Sequence, residues 1–242
     1  MIREQLVRLH DKMVEDIKDC SNEPAYSDFL CERHWYGNTT INIDDVNGSN
    51  HPDYANKTWN YVLENAPRME ANLKMLEQNP DYYLSTDKKQ PEWAFKAVYW
   101  KGDDKVKLMY PYHNGNHRTA IAKAFLYSKG VSELHGVTLY KDVYDYELYR
   151  AANRLFEDVL SYNRKQYVTV QVVIINSSFE DELDRSVLRN ELALQITNLW
   201  SNVELILNAK EIYELIEESK INPLPLRYWF RKNRYAKFLR YL

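Results

Sequence analysis

The chain has 242 residues, of which 45% are apolar and 28% charged, with a formal net charge of −3. That balance excludes wholesale coating of nucleic acid, which needs a strongly basic surface, and no apolar run reaches the roughly eighteen residues of a membrane span. The two cysteines, Cys20 and Cys31, are too few for a disulfide framework and point to a reducing, cytoplasmic setting.

Apolar residues Ile2, Leu6, Leu9, Met13 and Ile17 recur at helical spacing. They predict an amphipathic helix over 2–19 rather than a signal peptide. A second helix is expected from Tyr26 to Tyr36, with Gly37 as its left-handed cap. Residues 39–53 read as a connector with one helical turn at its centre. From Tyr54 to Leu76 helical spacing returns, and Pro67 should start a new helix there or kink the old one. Residues 80–109 admit two readings. One is a helix opened by Pro91; the other is a hairpin turning at Gly102, Asp103 and Asp104. The helix is preferred. A helix follows from Asn116 to Ser128, capped by Gly130, and another over 143–162. Residues 167–175, YVTVQVVII, are β-branched and short; a strand is preferred, with a buried helix as the alternative. Residues 180–220 predict one or two amphipathic helices, with Leu192, Ile196, Leu199, Val203, Ile206, Ile212 and Leu215 on the apolar face. The segment 227–242 predicts a basic, aromatic-rich helix.

The stretch YPYHNGNHRTAI (110–121) carries the clearest chemical signal. A tight Asn-Gly-Asn turn feeding a helix presents backbone N–H groups at the positive end of the helix dipole, and both favour an anion. Gly115 permits close approach of a ligand to the backbone. Asn114 and Asn116 tolerate left-handed backbone and carry donor amides. Arg118 supplies a planar fork that matches phosphate. The plainer alternative is an ordinary Asn-Gly turn followed by a solvated arginine.

This stretch resembles the signature of the Fic/Doc (Fido) family, His-Pro-Phe-x-Asp/Glu-Gly-Asn-Gly/Lys-Arg-x-x-Arg. Pro111, Gly115, Asn116, Arg118, Thr119 and Ala120 match, and Tyr112 stands for the Phe. Upstream, HWYGNTTINIDDV (34–46) is similar to the family's inhibitory-helix end and its continuation. Gly37, Asn38, Thr39 and Val46 match there, with Asp44 and Asp45 for a Glu pair. The resemblance implies a mainly α fold: a Fic-like helical domain over 1–165 with a small β element, and a helical C-terminal extension over 166–242.

It also implies transfer of a nucleotide group, usually AMP from ATP, to a protein hydroxyl. The positions that carry that chemistry have changed. Tyr110 stands for the catalytic His, and a tyrosine is protonated near neutral pH and a poor base. Asn114 stands for the carboxylate that holds Mg²⁺, so Mg²⁺ is disfavoured. His117 replaces a glycine, Ile121 the second Arg, and Tyr36 the inhibitory Glu. Joint loss of that Glu and Arg leaves no unpaired charge and suggests an apolar contact between Tyr36 and Ile121. The sequence therefore assigns Asn114, Gly115, Asn116 and Arg118 to binding phosphate, from ATP or another nucleotide. Tyr36, Gly37 and Asn38 are assigned to the regulatory position. Tyr110, His113 and His117 are the candidates for any surviving catalysis, His113 and His117 as bases and Tyr110 as a nucleophile. No metal site is expected.

Three functions follow: a divergent Fic-like protein that keeps an anion-binding turn without standard AMP transfer, a non-catalytic interaction protein, or an active nucleotidyltransferase with an unconventional base. The interaction reading uses Arg227, Arg231, Lys232, Arg234, Lys237 and Arg240, which alternate with aromatics. That pattern suits a protein partner and, less well, nucleic acid.

Overall fold

The computed structural model describes residues 13–22, 25–160, 168–199 and 203–221. The basic helix expected over 227–242 and most of the helix expected over 2–19 lie outside them. Strands and helices alternate along the described chain, and the architecture is mixed α/β rather than mainly α. A short parallel pair joins β1 (Lys18–Asp19) to β3 (Gly48–Ser49). The main sheet has seven strands: β2 (Leu30–Asn42), β4 (Ala94–Trp100), β5 (Leu108–Pro111), β6 (Glu133–Tyr144), β7 (Val168–Glu182), β8 (Arg185–Asn198) and β9 (Val203–Leu207). Their order is β5-β4-β6-β2-β8-β7, with β9 also on β8.

The chain divides into two compact units. The first comprises 1–25, 32–143 and 179–188. Its helices are α1 (Trp59–Asn65), α2 (Met69–Gln78), α3 (Asp81–Leu84) and α4 (Asn116–Ser128). Thr58 caps α1 by accepting from the Tyr61 N–H, and Pro67 separates α1 from α2 as its chemistry dictates. Helix α4 is central. Thr119, Ala120, Ile121, Ala122, Ala124 and Leu126 are fully buried, and mostly small side chains let its backbone sit deep among Trp59, Leu63, Met69 and Leu73. Gly130, in left-handed backbone, follows the helix as expected. The second unit comprises 26–31, 144–178 and 189–242. In it α5 (Tyr146–Asp158), capped by Asp145, presents Leu148 and Leu155 to an interior shared with Ile212, Leu215 and Ile216 of α6 (Ala209–Ile221).

Several expected helices are strands. Residues 30–42 form β2, where Trp35, Tyr36, Thr39, Thr40 and Ile41 favour a pleated surface. Gly37 caps nothing; it sits mid-strand, where an added Cβ would meet the Trp35 ring at 2.6 Å. Residues 94–100 and 108–111 form an antiparallel hairpin, Phe95 opposite Pro111 and Val98 opposite Leu108, so the hairpin reading holds and the helix reading does not. Most of 180–207 is strand, and only α6 is helical in the expected 180–220 run. Leu192 and Ile196 are buried, but so is Leu194 between them, and Leu194 pairs with Leu207 across the sheet. An i, i+4 pair fits a period of two as well as one of 3.6. Met13, in a 3-10 turn, and Ile17 are both buried as well, but the chain between them leaves the helix and bridges Asp16 to Thr58.

A buried ion cluster ties three neighbouring strands. Asp142 on β6 is fully buried and accepts from Arg33 Nε (2.7 Å) and NH2 (2.8 Å) on β2, while Lys96 on β4 reaches it at 2.9 Å. Burial alone would raise the Asp142 carboxyl; the Arg33 hydrogen bonds and the Lys96 charge outweigh it and hold the group below its ordinary range. Asp142→Asn should therefore cost about 3 kcal/mol in urea unfolding, since it removes the buried charge that Lys96 and Arg33 both face. The wild-type contribution should be complete above the unfolded carboxyl value of about 3.9 and vanish as pH falls through the lower folded value.

Candidate functional site

The turn at 110–121 leaves β5 and enters α4 through Gly115, whose φ of 112° is left-handed. Glycine is required there twice over. A side chain would be strained at that φ, and a Cβ would lie 2.7 Å from Trp93 Nε1. Among the described residues no acceptor is bonded to the Asn116, His117 and Arg118 N–H groups that begin α4. They open onto a cavity of about 500 Å³ lined by His51, Tyr54, Arg68, His113, Asn114 and His117, among others. Its remaining walls include Asp53, Asn72, Gly115, Asn116 and Arg118.

The predicted residues take different parts. Arg118 lines the cavity, but its fork is occupied. NH1 donates to Tyr82 Oη and to the Pro91 carbonyl, both at 3.0 Å. NH2 donates to the Glu92 carbonyl at 3.2 Å and meets Asn114 Oδ1 at 3.5 Å. The guanidinium also lies over the Trp93 ring at 4.9 Å. Arg118 thus anchors the turn and lends its charge, rather than offering a free fork. Asn116 is buried; its Oδ1 accepts from Ser49 Oγ at 2.9 Å, and Ser49 Oγ accepts from the His51 N–H at 3.0 Å. That relay holds the His51 loop beside the start of α4.

His117 Nε2 lies 2.7 Å from the hydroxyl of the buried Tyr54. Burial, helped by His51 and Arg68, lowers the His117 pKa, while burial and then Asp53 raise that of Tyr54. Both groups favour their neutral forms, so Tyr54 O–H donates to Nε2. His113 is exposed at the cavity edge in left-handed backbone, its ring 3.9 Å from that of Tyr112. Tyr110 lies on β5 opposite Lys96 and does not line the cavity. Tyr36, Gly37 and Asn38 lie within β2, away from any helix end, and do not line it either. The Gly37 N–H donates to the Asp184 carbonyl at 2.8 Å, and Tyr36 stacks on His34.

The sequence reading missed Arg68, His51 and Tyr54. Arg68 sits in left-handed backbone just before α2, and among the described residues its side chain makes no hydrogen bond or ion pair. It is the cavity's cation with an unspent fork. The signal was modest: a basic residue just after Pro67 inside a stretch read as helical, and a His-Pro-Asp segment read only as connector with Tyr54 as the helix start after it. The charges around the cavity are Arg68 and Arg118 against Asp53, which lies 3.9 Å from His51 Nδ1. Among the described residues no group of three His, Cys, Asp or Glu side chains is placed to hold a metal.

Compared with family models, curated proteins and solved structures, the chain matches none. The chemistry of the cavity is therefore the ground for a functional reading.

Two outcomes test this geometry. Gly115→Ala should destabilise the fold by about 1–3 kcal/mol in thermal unfolding, because the φ is strained for alanine. His117 should titrate below the ordinary histidine value of about 6.5 in an NMR series. Its contribution to stability should be complete above that unfolded value and decline as pH falls toward the lower folded one.

Proposed function

We propose that the cavity at the start of α4 binds a phosphate-bearing ligand, a nucleotide or another phosphorylated small molecule, without standard AMP transfer to protein hydroxyls. The observation that carries this reading is the meeting of the uncapped α4 N-terminus with the unpaired Arg68 in one cavity. Backbone donors, helix dipole and guanidinium act on the same anion, and each prefers phosphate to a neutral ligand. The volume of about 500 Å³ suits a small molecule. His117, held neutral by burial, would add charge if an arriving phosphate drew a proton onto it.

Several features speak against the transfer reaction. Tyr110 is not at the cavity wall, and His117 already accepts from Tyr54. The cavity's carboxylate, Asp53, sits beside His51. This proposal rests on the turn and its neighbours and not on the Fic-like resemblance, whose mainly helical frame and helix-borne regulatory glutamate position the mixed sheet replaces.

Titration calorimetry of the full chain with inorganic phosphate, pyrophosphate and ATP tests the proposal. Binding should weaken steeply with added salt, as expected for an anion held by a guanidinium and a helix N-terminus. Arg68→Ala should weaken it roughly tenfold to a hundredfold, the worth of one charge-assisted hydrogen bond. Absence of binding by all three ligands, or an unchanged affinity in Arg68→Ala, contradicts it. Labelling of lysate proteins from radiolabelled ATP would restore the transferase reading.

A further inference from the structure

We infer that β7 forms a two-fold interface with the β7 of a second copy of this chain, the two strands pairing antiparallel along the edges that no described strand covers. Strand β7 ends the hydrogen-bonded order of the main sheet, and its strand neighbour among the described residues is β8 alone. It runs for 15 residues, long for an edge. Edge strands expose unpaired N–H and C=O groups, and folded proteins blunt them with charge, proline, shortness or a cover. Here none of the sequence devices is used. From Val168 to Phe179 there is no Asp, Glu, Lys, Arg or Pro, in a chain that is 28% charged. The devices being absent, the remaining solution is a cover.

The side chains say where the cover lies. Val168, Val170, Val172 and Ile174 share one face by alternation, and they pass from buried Val168 to Ile174, which is 60% exposed. On the other face Gln171 and Ser177 bond across to Gln195 and Asn190 of β8, and Ile175 between them is 54% exposed. Ile174 and Ile175 thus stand at the middle of the uncharged run, open on both faces.

A second copy is the occupant that this composition fits. An antiparallel pair of identical strands about a two-fold near Ile174 sets apolar and amide side chains against their own kind, and no like charges oppose one another. With Ile174 on the axis Glu180 falls opposite Val168 at the end of the pairing, and Asp181 and Glu182 lie beyond it in both copies. A strand or peptide with charged side chains would find no counter-charge along this edge.

Sedimentation velocity of the full chain over a micromolar concentration series tests the inference. The wild type should be a dimer. Ile174→Lys and Ile174→Glu, both at an exposed position that leaves the monomer fold intact by circular dichroism, should each be monomeric. An equimolar mixture of the two should return to dimer, because residue 174 meets its own copy across the axis. A wild type that is monomeric throughout overturns the inference, and so does a dimer that either substitution leaves unchanged. Failure of the mixture to re-form a dimer also overturns it, since it removes the two-fold at β7.

Discussion

The geometry of the cavity depends on one anchored side chain, Arg118. Its guanidinium stacks over Trp93 and donates to the Pro91 and Glu92 carbonyls and to Tyr82. Those contacts lock the first turn of α4 to the segment that leads into β4. With that end fixed, Gly115 must adopt its left-handed backbone against Trp93, and no residue remains in place to cap the helix. The open N–H groups are thus a consequence of a rigid support rather than of a loose turn. Preorganised donors of this kind lose little entropy when a ligand arrives.

A second consequence is the division of labour between two arginines. A guanidinium whose donors serve carbonyls cannot also grip a phosphate at full strength, but its charge still raises the local potential. Arg68 is the reverse case, with its fork unspent and its backbone held by the Asn72 amide bonding its carbonyl. Around them the Ser49 relay and the Tyr54–His117 pair fix the cavity wall with buried, satisfied hydrogen bonds. The wall is polar, and these hydrogen bonds are made within it.

The sequence made the chemical centre legible and much of the surrounding frame illegible. Helix α4, its entry at Gly115 and its exit at Gly130 were readable, since glycine and a strong apolar pattern bracket them. Pro67 likewise announced the break between α1 and α2, and the β-branched run at 168 announced β7. What failed was the choice of period where apolar residues stood four apart. Leu192 with Ile196 satisfies helix and strand alike, and only a cross-strand partner, such as Leu207 opposite Leu194, decides. The mid-strand Gly37 was taken for a cap because its close approach to Trp35 is a tertiary fact. Within the cavity, His113, Asn114, Gly115, Asn116, His117 and Arg118 were found together because they are contiguous. Arg68, His51 and Tyr54 were not found, because only folding brings α2 and the 51–54 turn to them.

The central claim is that this cavity is an anion site built on the α4 N-terminus and Arg68. Backbone and arginine side-chain chemical-shift mapping with added pyrophosphate tests it most directly. The account predicts saturable shifts at the amides of Gly115, Asn116 and His117 together with the Arg68 Nε–H, while Arg118 Nε–H moves little. Shifts spread over surface lysines, or an unmoved Gly115–His117 segment at saturating ligand, would contradict it.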